Sequence, residues 1–146
     1  MTATSSGRRL QPLLHDLVAG VAAPTQFWSD GDGQVRPRGA QGFFHSDVRV
    51  LREAVLTVGG AEPEGIATSR LGAGEVRFVG LARQLGDVTP DPTVRVERRR
   101  RVVAGAVEEE LRVVSTAEEG VAADVELVLA ADLAGLEQVK VGEVLP

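Results

Sequence analysis

The stretch 93–116 constrains this chain most tightly. Two Val-rich runs of strand length, 93–103 and 106–116, are separated by Ala104-Gly105. If those two residues form a hairpin loop, Val103 faces Ala106. Continuing the ladder sets Arg101 against Glu108, Arg99 against Glu110 and Glu97 against Arg112 on one face. The other face sets Val102 against Val107, Arg100 against Glu109, Arg98 against Leu111 and Val96 against Val113. A slip of one residue destroys most of these matches, so the sequence specifies its own register. A four-residue loop of the same parity would keep them. Residues 121–131 supply a third run, and the three together read as a meander.

Upstream the same grammar continues. Gln26-Phe27-Trp28-Ser29 reads as a short strand, and Asp30-Gly31-Asp32-Gly33 as a turn. Residues 36–39 form a loop. The segment 48–58 is a strand ended by Gly59-Gly60, 66–70 a weaker strand, and 75–85 another. Before them, Leu10, Leu13, Leu14, Leu17 and Val18 recur at helical spacing, with Pro12 in a first turn and Gly20 as a stop. The expected fold is therefore mainly β: an antiparallel β-sandwich with one short N-terminal helix. The division is 1–22 for the lead and helix, and 23–146 for the sandwich.

The run Arg98-Arg99-Arg100-Arg101 invites a reading as a phosphate-binding patch. Strand alternation sends neighbouring side chains to opposite faces, and the net charge of -5 gives no overall positive field. A ladder of ion pairs with Glu108, Glu109 and Glu110 is the better account, and no nucleic-acid partner is expected. His15 and His45 lie in no metal-ligand spacing, and with no cysteine in the chain there are no thiolate ligands, so no metal and no cofactor are expected. Carboxylates are numerous, but no spacing singles out the acid and base of a glycosidase. Nucleophile-elbow, phosphate-loop and dinucleotide fingerprints are missing. The N-terminal stretch is a poor signal peptide and too short to span a bilayer, so a cytoplasmic location with no membrane contact is the default.

The segment Gly42-Phe43-Phe44-His45-Ser46-Asp47-Val48-Arg49-Val50-Leu51, followed by a strand and Val58-Gly59-Gly60, resembles the N-terminal domain of bacterial glycogen-debranching-type enzymes, the amylo-α-1,6-glucosidases. That family shows a G-x-F-x-x-D-x-R-x-L segment leading into such a strand. Ser29-Asp30-Gly31-Asp32-Gly33 is similar to its S-D-x-x-G element. Arg98-Arg99-Arg100 stands where the family has R-x-R, and the run from Asp132 to Lys140 resembles its closing A-D-F-A-D run. Leu133 and Gly135 depart from that last pattern.

The resemblance implies a sandwich that packs against a C-terminal helical-barrel catalytic domain, in the same chain or in trans, and helps shape its α-glucan cleft. In that family the catalytic carboxylates lie in the barrel, so no catalytic residue is expected here and the chain alone is not an enzyme. Asp47 and Arg49 match the family motif and are expected to form a buried ion pair at the loop-to-strand corner. Arg99 and Glu110 are expected to be a structural pair on the ladder. A free-standing carbohydrate-binding module is the alternative, with Trp28, Phe27, Phe43, Phe44 and His45 as the substrate-binding residues. A structural β-domain that forms homo-oligomers through an apolar face is the third reading.

Overall fold

The computed structural model describes residues 16–141. In chain order the elements are β1 (Val18–Ala22), β2 (Thr25–Ser29), β3 (Gly42–His45), β4 (Val48–Leu51), β5 (Glu53–Val58), β6 (Glu64–Gly72), β7 (Glu75–Leu81), β8 (Val94–Val103), β9 (Ala106–Ser115), β10 (Val125–Ala130), β11 (Ala134–Gly135) and the helix α1 (Leu136–Val141). All strand pairs are antiparallel.

One layer runs β1-β2-β3-β4-β11 and continues through β5-β10. The continuity comes from β4 and β5, a single strand path interrupted at Arg52. The returning chain follows it on one side, with Ala130 opposite Glu53 and Ala134 opposite Arg49. On the other side β3 pairs with β4, and Val35 bridges to Ala54 of β5. The second layer is β6-β7-β8-β9. Its β8–β9 hairpin has the expected register over its whole length, from Val94 opposite Ser115 to Val103 opposite Ala106. Gly105 takes φ of 85° at the second loop position, which only glycine occupies without strain.

Alternation along β8 decides what fills the space between the layers. Val94, Val96, Arg98, Arg100 and Val102 all point inward and are buried. At one end Val94 and Val96 pack with Leu56, Val58 and Ala82. At the other, Val102 packs with Phe27, Val76 and Phe78. Between these two apolar clusters lie the guanidinium groups. A third cluster, Phe44, Ala134 and Val139, joins α1 to the opposite face of the first layer, with Trp28 and Leu136 packed against it.

The start of the chain differs from expectation. Of the helix expected over 10–20, residues up to 15 lie outside those described. From Val18 on, the chain is strand β1, so the sheet begins before the expected boundary at residue 22. Gly20 serves close packing instead of stopping a helix: a Cβ there would stand 2.4 Å from Cε1 of Phe27. That contact, with cross-strand pairing to β2, is what makes residues 18–22 a strand. The one helix among the described residues is α1, near the other end. Strand β10 begins at Val125, later than the 121 expected, and it pairs with β5 in the first layer, so the expected three-strand meander stops at the β8–β9 hairpin.

Candidate functional site

Four side-chain assemblies carry the charged and aromatic residues that the sequence singles out. The first is the polar belt between the core clusters. Arg100 is completely buried, its Nη2 donating to the carbonyl of Gly33 at 2.7 Å and its Nε to Glu109 at 2.9 Å. Its guanidinium carbon sits 4.8 to 5.3 Å from the ring centres of Phe27, Phe43 and Phe78, within range of cation–π attraction. Arg98, equally interior, donates from Nε to the other oxygen of Glu109 at 2.5 Å and from Nη1 to Gln34 at 2.8 Å. One carboxylate therefore serves two buried cations. Burial pushes Glu109 up, but the charges of Arg100 and Arg98 and their hydrogen bonds outweigh it and hold the carboxyl below its ordinary value. Burial likewise lowers Arg100, opposed by Glu109, to a value that still leaves it charged at neutral pH.

The second assembly is the loop after β2. Arg36 donates to Asp30 at 2.5 Å, to Asp32 at 2.9 Å and to Glu62 at 2.7 Å. Asp30 also accepts from Arg38 and Gln41, each at 2.9 Å. Burial would raise Asp30, yet these donors keep it below the usual carboxylate range. Gln34 closes the loop onto β5, with Nε2 donating to the Leu56 carbonyl at 2.7 Å and Oε1 accepting the Leu56 N–H at 2.9 Å.

The third corrects an expectation. Arg49 is buried, but its partner is Asp132, not Asp47. Its Nε donates to Asp132 at 3.1 Å and its Nη2 to the same carboxylate, whose side chain is only 2% exposed. Asp47 is exposed in the two-residue β3–β4 turn, and its carbonyl accepts the Leu136 N–H at 2.7 Å. Strand alternation is the reason: Asp47 belongs to the turn, while Arg49 points to the face that β11 and α1 cover. Asp132 is raised by burial and lowered more strongly by Arg49 and the Ala134 N–H, with a net fall.

The fourth assembly is a groove of about 320 Å³ at one side of the sandwich, where β9 and β10 are the free edges of their layers. Phe43, Phe44, Val50, Leu51, Leu127 and Leu129 are the large apolar residues of β3, β4 and β10 that line it. The extra residue of the β3–β4 bulge is Val50 on β4, so β3 keeps its alternation: Phe43 turns toward Arg100 and Phe44 toward the α1 cluster, and both residues line the groove where it meets β3. His45 lies at its rim, sharing a 2.9 Å hydrogen bond with Thr25 Oγ1, which also accepts the Gly105 N–H at 2.8 Å.

The residues named for sugar contact are thus divided. Phe27 is 0% exposed, beneath Arg100, and presents no surface to a ligand. Trp28 is half-buried on the opposite face, beside the α1 cluster, its Nε1 donating to Gln26 at 3.2 Å. Only Phe43, Phe44 and His45 meet, at the groove. Arg99 stands opposite Glu110 in register, but its side chain bonds Glu75 of β7 at 2.5 Å instead. Every carboxylate held below its ordinary value here is tied to a guanidinium, which suits a fixed anion and not a general acid. Among the described residues no group of three or more His, Asp or Glu is gathered to hold a metal ion.

Sequence reading missed the burial of Arg98 and Arg100, the Asp132 partner and the groove wall on β10. The first was signalled: both arginines share a face with Val94, Val96 and Val102. Asp132 had no local signal, being far from Arg49 along the chain.

A known family matches most of the chain. The family described as the N-terminal domain of (some) glycogen debranching enzymes matches residues 21–144. No curated protein matches the chain.

Proposed function

Because this chain belongs to the family of N-terminal domains found in some glycogen debranching enzymes, we propose that it is a non-catalytic accessory domain of an α-glucan-acting glycosidase, packing on the catalytic domain and helping to shape its substrate cleft. The observation that carries this reading is the open apolar groove with Leu127 and Leu129, each about half exposed, on its wall. Exposed apolar surface grouped in this way marks a contact with another protein surface. A glucan chain needs planar polar partners for its hydroxyls, and the groove offers few. The aromatic residues best suited to stack on a sugar are occupied: Phe27 under a guanidinium, Trp28 against α1.

The test uses the chain together with the separately expressed catalytic portion of an enzyme of this family. Sedimentation is expected to detect a one-to-one complex, and Leu127→Asp is expected to weaken it at least ~10-fold, since burying the remaining half of a leucine is worth roughly 1 kcal/mol and an unpaired buried charge costs more. Leu127 is half exposed, so the variant keeps its fold. Hydrolysis of maltooligosaccharides by the chain alone at an enzyme-like rate would defeat the proposal, as would a Leu127→Asp complex as tight as the parent.

A further inference from the structure

The outer edge of β10 is shaped to receive one particular kind of partner. In an antiparallel pair, alternate residues direct their N–H and C=O toward the neighbour and away from it. Opposite β10, both main-chain groups of Leu56 are used by the Gln34 side chain on the far side of β5. Those of Ala54 are likewise used by Val35. Leu56 faces Leu127 and Ala54 faces Leu129, so these are the wide, unbonded pairs. Leu127 and Leu129 therefore turn their N–H and C=O outward, and by the same parity so does Val125. Among the described residues no strand lies against that edge.

The side chains of these residues follow the same rule. Val125, Leu127 and Leu129 share a face by alternation, remain 50%, 50% and 53% exposed, and the two leucines wall the groove. Across the groove stands β9, also an edge strand, with Val107 on the wall. Among the described residues Glu109 is the one carboxylate lining the groove, and both its oxygens are engaged by Arg98 and Arg100, so no free anion faces the groove. Of the devices that usually block an edge, β10 has no proline, no lysine and no bulge, and its one charge, Glu126, falls by alternation on the face away from Leu127 and Leu129.

We infer that an extended segment of the enzyme's catalytic portion, uncharged and apolar at alternate positions, adds as a strand to β10 and closes the groove toward β9. The inference rests on the docking role proposed above and specifies its geometry. Main-chain bonds to Val125, Leu127 and Leu129 hold the added strand, and its inward side chains fill the space beside Val107 and Leu129.

Two variants separate the main chain from the side chain. Leu127→Ala removes the apolar group and keeps the outward N–H. Leu127→Pro also removes that N–H, which no bond to β5 uses, as an edge strand tolerates. Binding to the separately expressed catalytic portion is expected to be about tenfold weaker for Leu127→Pro than for Leu127→Ala, the loss of roughly one hydrogen bond. Amide exchange supplies an independent reading on the unaltered chain. The amides of Val125, Leu127 and Leu129 are expected to exchange fast alone and slowly in the complex, while those of Glu126 and Val128 are slow in both. If the complex forms but the proline and alanine variants bind alike, or the three outward amides stay fast, strand addition is overturned and docking stands. If no complex forms, both fall.

Discussion

Glu109 is the residue on which the interior depends, and Glu109→Gln should expose that dependence. Two guanidiniums, 4% and 0% exposed, draw on its two oxygens at 2.5 and 2.9 Å. Breaking a buried ion pair by removing one partner costs about 3–5 kcal/mol, because the remaining charge is left without compensation. The lower end applies here, because the Glu109 side chain is itself 26% exposed. Arg98 keeps Gln34, and Arg100 keeps the Gly33 carbonyl and three aromatic rings, the latter worth up to about 2 kcal/mol in a desolvated site. A loss of about 3 kcal/mol at a urea dependence of roughly 2 kcal/mol/M lowers the unfolding midpoint by about 1.5 M at pH 7. The companion variant Arg98→Met/Arg100→Met/Glu109→Leu replaces the whole group with apolar side chains. It should unfold within about 1 kcal/mol of the parent or later, since burying charges costs nearly what their attraction returns. A midpoint shift under about 0.5 M for Glu109→Gln would refute the argument. So would a triple variant as unstable as the single one, because the fault would then be lost packing, not an unpaired charge.

Three further outcomes follow from the same structure. Asp132→Asn should cost about 3 kcal/mol in urea unfolding by stranding buried Arg49, whereas Asp47→Asn, in the exposed turn, should fall within about 0.5 kcal/mol of the parent. Glu109, Asp132 and Asp30 all lie below their ordinary values in the folded chain, so the stability they contribute is present above the unfolded carboxylate value of about 4 and is lost as pH falls through the folded values; urea midpoints should be level from about pH 8 to 5 and drop steeply below 4, less steeply in Glu109→Gln. Gly20→Ala should destabilise by about 1–3 kcal/mol through contact with the Phe27 ring, visible as a lowered melting temperature, and a neutral result would mean that β1 shifts freely.

Much of the second layer was legible because charge and hydrophobicity there agree on one register. The match of Arg99 to Glu110 and of Val96 to Val113 leaves no competing alignment, and β8 and β9 pair accordingly. The same alternation that fixed the register also carried the inward direction of Arg98 and Arg100, but arginine is so rarely buried that an exposed ladder was the natural reading. Less could be read where contacts are long in sequence. Nothing near Arg49 marks Asp132, and nothing in 10–20 announces that Phe27 will claim Gly20. The candidate site was legible only in part: Phe43, Phe44 and His45 stand at the groove, while its β10 wall looked like any Val- and Leu-rich strand.

These observations also explain why a domain with so few aromatic residues places three of its four phenylalanines around one arginine. The core clusters at the two ends of β8 are aliphatic at one end and aromatic at the other, and neither reaches across the middle of the sandwich. An apolar middle could slide by two residues along either strand without burying anything worse. A guanidinium pair clasping one carboxylate, capped by Phe27, Phe43 and Phe78 and by Gln34 from the loop, fits at one register only. The belt thus fixes β9 relative to β2 and β3, which sets the width of the groove between β9 and β10. If the groove docks a partner as proposed, the position of its β9 wall is set by electrostatics inside the domain, and Glu109→Gln should then weaken docking in binding assays as well as stability.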